Sequence, residues 1–341
     1  MSDKVTINEV DPPYAIPGGE VAVDCAGFRI DRGTTDGCFI DGARCRIVAA
    51  SSTHILVNIP DVAVGKATVS LVSGGARSGE FEILTGKKLV GDMHIVANPA
   101  IDPSDGAIIL TRSGGRGQHL SATLFRLEAD GFLDELPDPI LNPTGIAFDG
   151  EGQMYVTNRA QGEVYAVGRD GSSTVFAAGL GIATGICFDL RGTMYVGDRS
   201  GTIFRVREFA SAETFAVLEP SVAAYHMAFG PDGRLFVTAP GLASHDAVHV
   251  IDPDGNTSHF FLGLGRPQGL AFDKARNLYV AGCYQGRHGI VRISPDGLNA
   301  TQFVAGNNIV GLCFTKKGEM IVATNDTVYS LPCGIEGTLL D

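Results

Sequence analysis

Four ionisable side chains stand where acid–base chemistry would be possible: His226, Asp198, His245 and Asp246. An imidazole is the usual proton acceptor near neutral pH, and a carboxylate beside it fixes its orientation. His226 or His245 would act as general base, with Asp198 or Asp246 orienting it. Arg112 and Arg287 would grip a carboxylate or a phosphate. Asn158, Gln268 and Asn325 add amide donors and acceptors, and Tyr225 and Tyr284 add aromatic faces. Each of these residues also has a plain structural use. Asn and Asp at strand ends cap turns through backbone hydrogen bonds, His226 would pack between neighbouring elements, and the arginines would neutralise nearby acids.

What groups them is a repeated phrase. Thr144-Gly145-Ile146-Ala147-Phe148-Asp149, followed by Met154-Tyr155-Val156, returns as Thr184-Gly185-Ile186-Cys187-Phe188-Asp189 with Met194-Tyr195-Val196. It returns again from His226, Gly269 and Val310, and a degenerate first copy starts at Asn98. Aligned starts fall at 98, 145, 185, 226, 269 and 311, spaced by 47, 40, 41, 43 and 42 residues. Within each copy, short apolar runs alternate with Asp-Gly-type turns, which supply the positive φ that hairpins need. A third run follows in every copy and a fourth in several. Short strands recurring every 40-odd residues predict a β-propeller, and six copies predict six blades.

The lead-in to the inner strand and the end of the second strand lie at one end of each blade, because the two strands are antiparallel. That defines a ring at the mouth of the central channel. Its strand-start members are Asn98, Thr144, Thr184, Tyr225 with His226, Gln268 and Val310. Its strand-end members are Arg112, Asn158, Asp198, Ala239, Cys283 and Asn325. The loops that follow are read as longest in blades 1, 4 and 5. They carry Arg116, Gln118 and His119, then Ser244, His245 and Asp246, then Tyr284, Arg287 and His288. His226 stands out because it replaces a glycine that four of the six copies carry. The segment Gly114–Gly117 reads as a flexible flap over the mouth.

The composition sets bounds. The chain has 341 residues and a net charge of −12, which argues against a nucleic-acid backbone or an anionic membrane as partner. No apolar run is long enough to span a bilayer. The opening MSDKVTINEV carries no apolar stretch, so a cytoplasmic protein is expected. The seven cysteines are odd in number and form no CxxC pair, which supports neither a disulfide framework nor a zinc knuckle. Buried free thiols are expected. A fortuitous pair among Cys25, Cys38 and Cys45 stays open. There is no G-x-S-x-G elbow, H-E-x-x-H pair or phosphate-binding loop, and there is no tryptophan for sugar stacking.

Residues 1–85 lack the repeat. Ile7-Asn8-Glu9-Val10-Asp11-Pro12, Pro17-Gly18-Gly19, Gly27-Phe28 and Val57-Asn58-Ile59-Pro60 mark short alternating strands, which predict a small β-sandwich. Residues 86–341 form the propeller, with 86–94 expected to donate a strand to the last blade and so close the ring. The linker 85–88 is short enough to keep the two modules in contact.

The order of phrases in residues 1–85 resembles an IPT/TIG domain, which implies an immunoglobulin-like fold and a spacer or contact role. The phrase P-x-G-[IL]-A-F-D … G-x-[LM]-Y-V resembles the six-bladed NHL-type propellers and the gluconolactonase/regucalcin-like lactone hydrolases. The latter resemblance implies a divalent cation such as calcium at the channel mouth, held by a Glu and by Asn or Asp residues at the lead-ins. Here the lead-ins are Thr144, Thr184, Gln268 and Val310, so the metal ligands are not identified. The expected architecture is all-β, a small Ig-like sandwich followed by a six-bladed propeller. The expected function is binding of a small polar molecule or a protein partner at the channel mouth. A gluconolactonase-like sugar-lactone hydrolase with a non-standard or absent metal site is the alternative, and a propeller lyase is the third reading.

Overall fold

The computed structural model describes residues 5–30, 35–62, 64–115, 118–207, 211–242 and 245–338. Among the described residues all regular structure is β, and no helix is long and apolar enough to cross a membrane.

Six four-stranded antiparallel blades follow one another. In chain order, blade 1 has its innermost strand at Ala100–Ile101 and its second at Ile108–Thr111; blade 2 starts with Pro143–Phe148 and Met154–Asn158. Blade 3 starts with Ala183–Phe188 and Met194–Asp198, and blade 4 with His226–Phe229 and Leu235–Thr238. Blade 5 starts with Leu270–Phe272 and Leu278–Tyr284, and blade 6 with Ile309–Phe314 and Met320–Thr324. Each innermost strand lies against that of the next blade, and the sixth returns to the first, so the ring is closed. The last blade takes its outer strand from before the first: Lys87–Val90 pairs antiparallel with Val328–Leu331, Lys87 opposite Ser330.

The repeated residues make the same contacts in successive blades. Asp149 Oδ1 accepts hydrogen bonds from the backbone N–H groups of Glu151 and Gln153, both at 2.9 Å. Asp189 does the same for Arg191 and Thr193. These side chains close the inner hairpins, and Gly152 and Gly192 supply φ of 83° and 80° in the turns. From blade 2 to blade 6 the aromatic position of the second strand glues each blade to the next. Tyr155 meets Phe188 at 5.3 Å between ring centroids, Tyr195 meets Phe229 at 5.0 Å, Phe236 meets Phe272 at 4.9 Å and Tyr279 meets Phe314 at 5.2 Å. Such pairs add about 0.5–1.5 kcal/mol each beyond area burial. The seam between blades 6 and 1 is aliphatic instead, built from Ile95, Ile101, Leu110, Ile321 and Ala323.

A belt of hydroxyl groups stitches the blades nearer the axis. Ser113 Oγ donates to Pro143 O at 2.7 Å, Thr157 Oγ1 to Thr184 O at 3.1 Å and Thr238 Oγ1 to Gln268 O at 2.5 Å. The backbone N–H of Tyr225 donates to Thr184 Oγ1 at 3.0 Å. Asn98 spans three blades: its Nδ2 donates to Leu270 O at 3.1 Å, and its Oδ1 accepts from the N–H of Leu312 at 3.1 Å.

The N-terminal strands form two sheets around one core, in which Val21, Val23, Ile55, Val57, Val69 and Leu71 are fully buried. One sheet has the order Thr6–Asp11, Glu20–Ala26, His54–Asn58, Arg46–Ala50. The other runs from Gly37–Ile40 through Gly65–Ser73 and Phe81–Thr85 to Tyr14–Ala15, and it continues into the propeller. Tyr14 and Ala15 pair in parallel with Val304 and Ala305 of the outer strand of blade 5. Only Gly86 separates Phe81–Thr85 from the strand completing blade 6, and its N–H donates to Ala15 O at 2.8 Å. The modules are thus joined by a shared sheet as well as by the chain.

The expected long loop of blade 5 is a correction. Its second and third strands run on to Tyr284 and Arg287, leaving a two-residue turn at Gln285 and Gly286, with φ of 50° and 82°. Paired positive φ values give the tight twisted turn that suits antiparallel strands.

Candidate functional site

The predicted mouth ring holds its polar residues largely in structural work. Asp198 is 5% exposed. Its Oδ1 accepts from the N–H groups of Ile182 and Ser200, both at 2.9 Å, and its Oδ2 from the Ser200 hydroxyl. Asn158 accepts from Ala160 N at 2.9 Å and Gln161 N at 3.2 Å, and its Nδ2 donates to Gln161 Oε1 at 2.6 Å. Asp246 accepts from Gly241 N at 3.0 Å and from Arg266 N at 3.2 Å, so one carboxylate ties together the loops on either side of its strands.

Tyr225 and His226 lie inside the protein and not on its rim. Tyr225 is 1% exposed, its hydroxyl donates to Glu219 O, and burial pushes its pKa up to about 12. His226 is 4% exposed, its Nε2 has no hydrogen-bond partner, and burial alone lowers its pKa to about 4. It stands opposite Thr238, at the seam where the innermost strand of blade 5 is only three residues long. The glycines at the matching position in blades 2 and 3 lie against the lead-in of the next blade, with Thr184 O and Tyr225 O under 3.0 Å from an added Cβ.

Arg287 is engaged elsewhere. Its Nη1 lies 2.7 Å from Asp11 Oδ2 and its Nη2 donates to Asp11 O, so it fastens blade 5 to the N-terminal module. Tyr284 leans on Phe261 at 6.0 Å between ring centroids. The backbone of Gln268 is fixed at both ends, by its N–H to Ala281 O at 2.7 Å and by its carbonyl to Thr238. Arg112 is half-buried, whereas His245 and Asn325 are exposed. Arg116 and Ser244, and part of the flap 114–117, lie outside the described residues.

Asp198 therefore gives a discriminating prediction. Asp198→Ala leaves the loop N–H groups of Ile182 and Ser200 without their acceptor, and a loss of about 2 kcal/mol is expected. Asp198→Asn, which keeps an acceptor oxygen, should retain most of that stability. Equal losses in both variants by chemical denaturation would mean that the charge, and not the loop bonds, is what matters.

Among the described residues no three His, Cys, Asp or Glu side chains converge to hold a metal ion.

Two clefts lie away from the ring. One, of about 500 Å³, lies between the first N-terminal sheet and the blade 5 turn, lined by Glu9, Asp11, Glu20, Asp24, His54 and Arg287 among others. The other, of about 1110 Å³, lies at the opposite end of blades 2–4 from the predicted mouth. Its walls include Tyr155, Tyr195, Phe215, Phe229, Arg191 and Arg205. The Arg205 guanidinium sits 5.4 Å from the Phe215 ring centroid, and Arg205 and Arg207 share Glu213 at 2.5 and 2.7 Å. Leu190 at the rim is 92% exposed. Sequence reasoning missed this cleft because its Phe and Asp residues belong to the repeat and read as blade packing and turn caps, which they also are.

No protein-family model matches the sequence, and no curated protein does. Solved structures are similar in fold. An auxiliary nutrient binding protein from Bacteroides thetaiotaomicron is 14% identical with a TM-score of 0.56, the match covering 96% of this chain and 97% of that one. A gluconolactonase-like protein is 15% identical with a TM-score of 0.61, over 74% of this chain and 93% of that one. Virginiamycin B lyase from Staphylococcus aureus is 14% identical with a TM-score of 0.53, over 70% of this chain and 94% of that one. These likenesses establish an all-β, gluconolactonase-like propeller architecture.

Proposed function

We propose that this chain is a ligand-binding propeller for a small polar molecule, held in the cleft across blades 2–4. The observation that carries the reading is where side chains with binding capacity coincide with volume. That cleft joins aromatic faces, arginines and about 1110 Å³ of space, whereas the carboxylates of the mouth ring are spent on their own loops. A general base works best with a pKa near the working pH, and His226 at about 4 is far too weak. This disfavours hydrolysis or lyase chemistry that uses His226 as its base. The nutrient-binding protein that matches over both modules supports binding. In this reading the repeats are of the NHL type, the N-terminal module is an IPT/TIG-like immunoglobulin fold serving as a contact element, and the protein is cytoplasmic.

The test is a thermal-shift panel of monosaccharides, sugar acids, sugar lactones and amino acids. A ligand at 100 times its dissociation constant adds about 2.7 kcal/mol to the folded state. The shift is expected to vanish in Phe215→Ala and Arg191→Glu and to persist in Arg112→Ala and Asn325→Ala. The reverse pattern would move the site to the channel mouth. Turnover of a lactone that disappears in His226→Ala would replace binding by hydrolysis.

A further inference from the structure

Three of the seven cysteines, Cys25, Cys38 and Cys45, are buried in the N-terminal core, at 2%, 0% and 5% exposure. Two of them face each other. The hairpin Gly37–Ile40 to Ala43–Arg44 turns at Asp41 and Gly42, pairing Ile40 with Ala43 and Phe39 with Arg44. The next pair outward is Cys38 with Cys45, and the N–H of Cys45 donates to Cys38 O at 2.9 Å. The Cys45 thiol donates to Ala43 O at 4.0 Å, inside the same hairpin. Directly opposed residues in an antiparallel pair lie about 4.5–5.5 Å apart at Cα, within the usual disulfide range of about 4.4–6.8 Å.

We infer that Cys38 and Cys45 form a vicinal dithiol site that closes to a disulfide on exposure to a small-molecule disulfide such as oxidised glutathione. The site lies at the sheet margin. Ala43–Arg44 is the terminal strand of its sheet, only two residues long, so local opening uncovers Cys45 without unfolding the core. The roles divide by access: Cys45, beside the terminal strand and 5% exposed against 0% for Cys38, takes the first attack. Cys45 thiolate attacks one sulfur of the reagent, forms a mixed disulfide and releases the first thiolate. Cys38 sulfur then attacks Cys45 sulfur, loses its proton and releases the second thiol equivalent. The protein gives up two electrons and two protons, and the reagent disulfide is reduced to two thiols.

The experiment exposes the native full chain to oxidised glutathione, traps free thiols under denaturing conditions and maps the products by mass spectrometry after cleavage at Arg44. Two of the seven thiols should be lost, the intact mass should fall by about 2 Da, and the crosslink should join Cys38 to Cys45. Cys25→Ser should leave the reaction intact, and Cys45→Ser should abolish it. A crosslink through Cys25, a stable glutathione adduct on Cys45 without closure, or reaction confined to the half-buried Cys283 and Cys333 would each overturn the proposal. The wild-type map decides the matter even if Cys45→Ser fails to fold.

Discussion

Gly269→Ala is expected to lower the stability of the propeller by about 3 kcal/mol, through overpacking at its axis. An added Cβ there would lie 2.0 Å from Asn98 Oδ1, 2.5 Å from Gly311 Cα and 2.9 Å from Val310 O. Two of these atoms are backbone and cannot rotate aside. The third belongs to a side chain tied at both ends, to Leu270 O and to the N–H of Leu312. Making room therefore breaks the amide bridge or parts blades 5 and 6. The midpoint of thermal unfolding should fall by roughly 6–12 °C. Pairing the change with Asn98→Ala should recover only part of the loss, since the contact with Gly311 remains. A shift below about 1 °C in Gly269→Ala would mean that the axis is loosely packed.

The second large effect is on pH. A histidine in the unfolded chain titrates near 6.5. His226 in the folded state holds a proton only below about 4, because burial disfavours the charged ring. Between these values the unfolded state binds more protons, so stability falls as the pH drops from 6.5 to 4. Above 6.5 both forms are neutral and the full contribution is present. At about 1.4 kcal/mol per unit the loss reaches about 3 kcal/mol by pH 4. His226→Gln removes the titration, and the stability profile over that window should flatten by this amount. An imidazole resonance for His226 titrating near 6.5 in the folded protein would refute the claim.

Much of the architecture was legible because the same local chemistry recurs. Phe148-Asp149 and Phe188-Asp189 each couple a packing aromatic to a turn-capping carboxylate, and both roles show in the residue types. The site was less legible for the same reason. Asp198 and Asn158 look identical in sequence whether they cap a loop or face a ligand, and only the positions of Ile182, Ser200 and Ala160 decide it. Arg287 was read as a mouth residue, yet its partner Asp11 lies 276 positions away in the chain. Tyr14–Ala15 left no strand signal at all. Three residues between Pro13 and Pro17 carry no period, and the pairing that makes a strand of them comes from Phe81–Thr85 and Ala300–Ala305. The bridge formed by Asn98 was hidden because the first copy of the repeat is degenerate there.

The shared sheet also sets an order of events during synthesis. Residues 1–85 leave the ribosome first, with Tyr14–Ala15 able to pair on one side with Phe81–Thr85. Its other side waits for Val304 and Ala305. At roughly 5–20 residues per second, that is roughly 15–60 s of translation during which the backbone edge stands open. Lys87–Val90 waits in turn for Val328–Leu331. The nascent chain thus carries two unpaired edges through most of the synthesis of the propeller, the period when a chaperone or a neighbouring chain on the same message has its best opportunity to capture them.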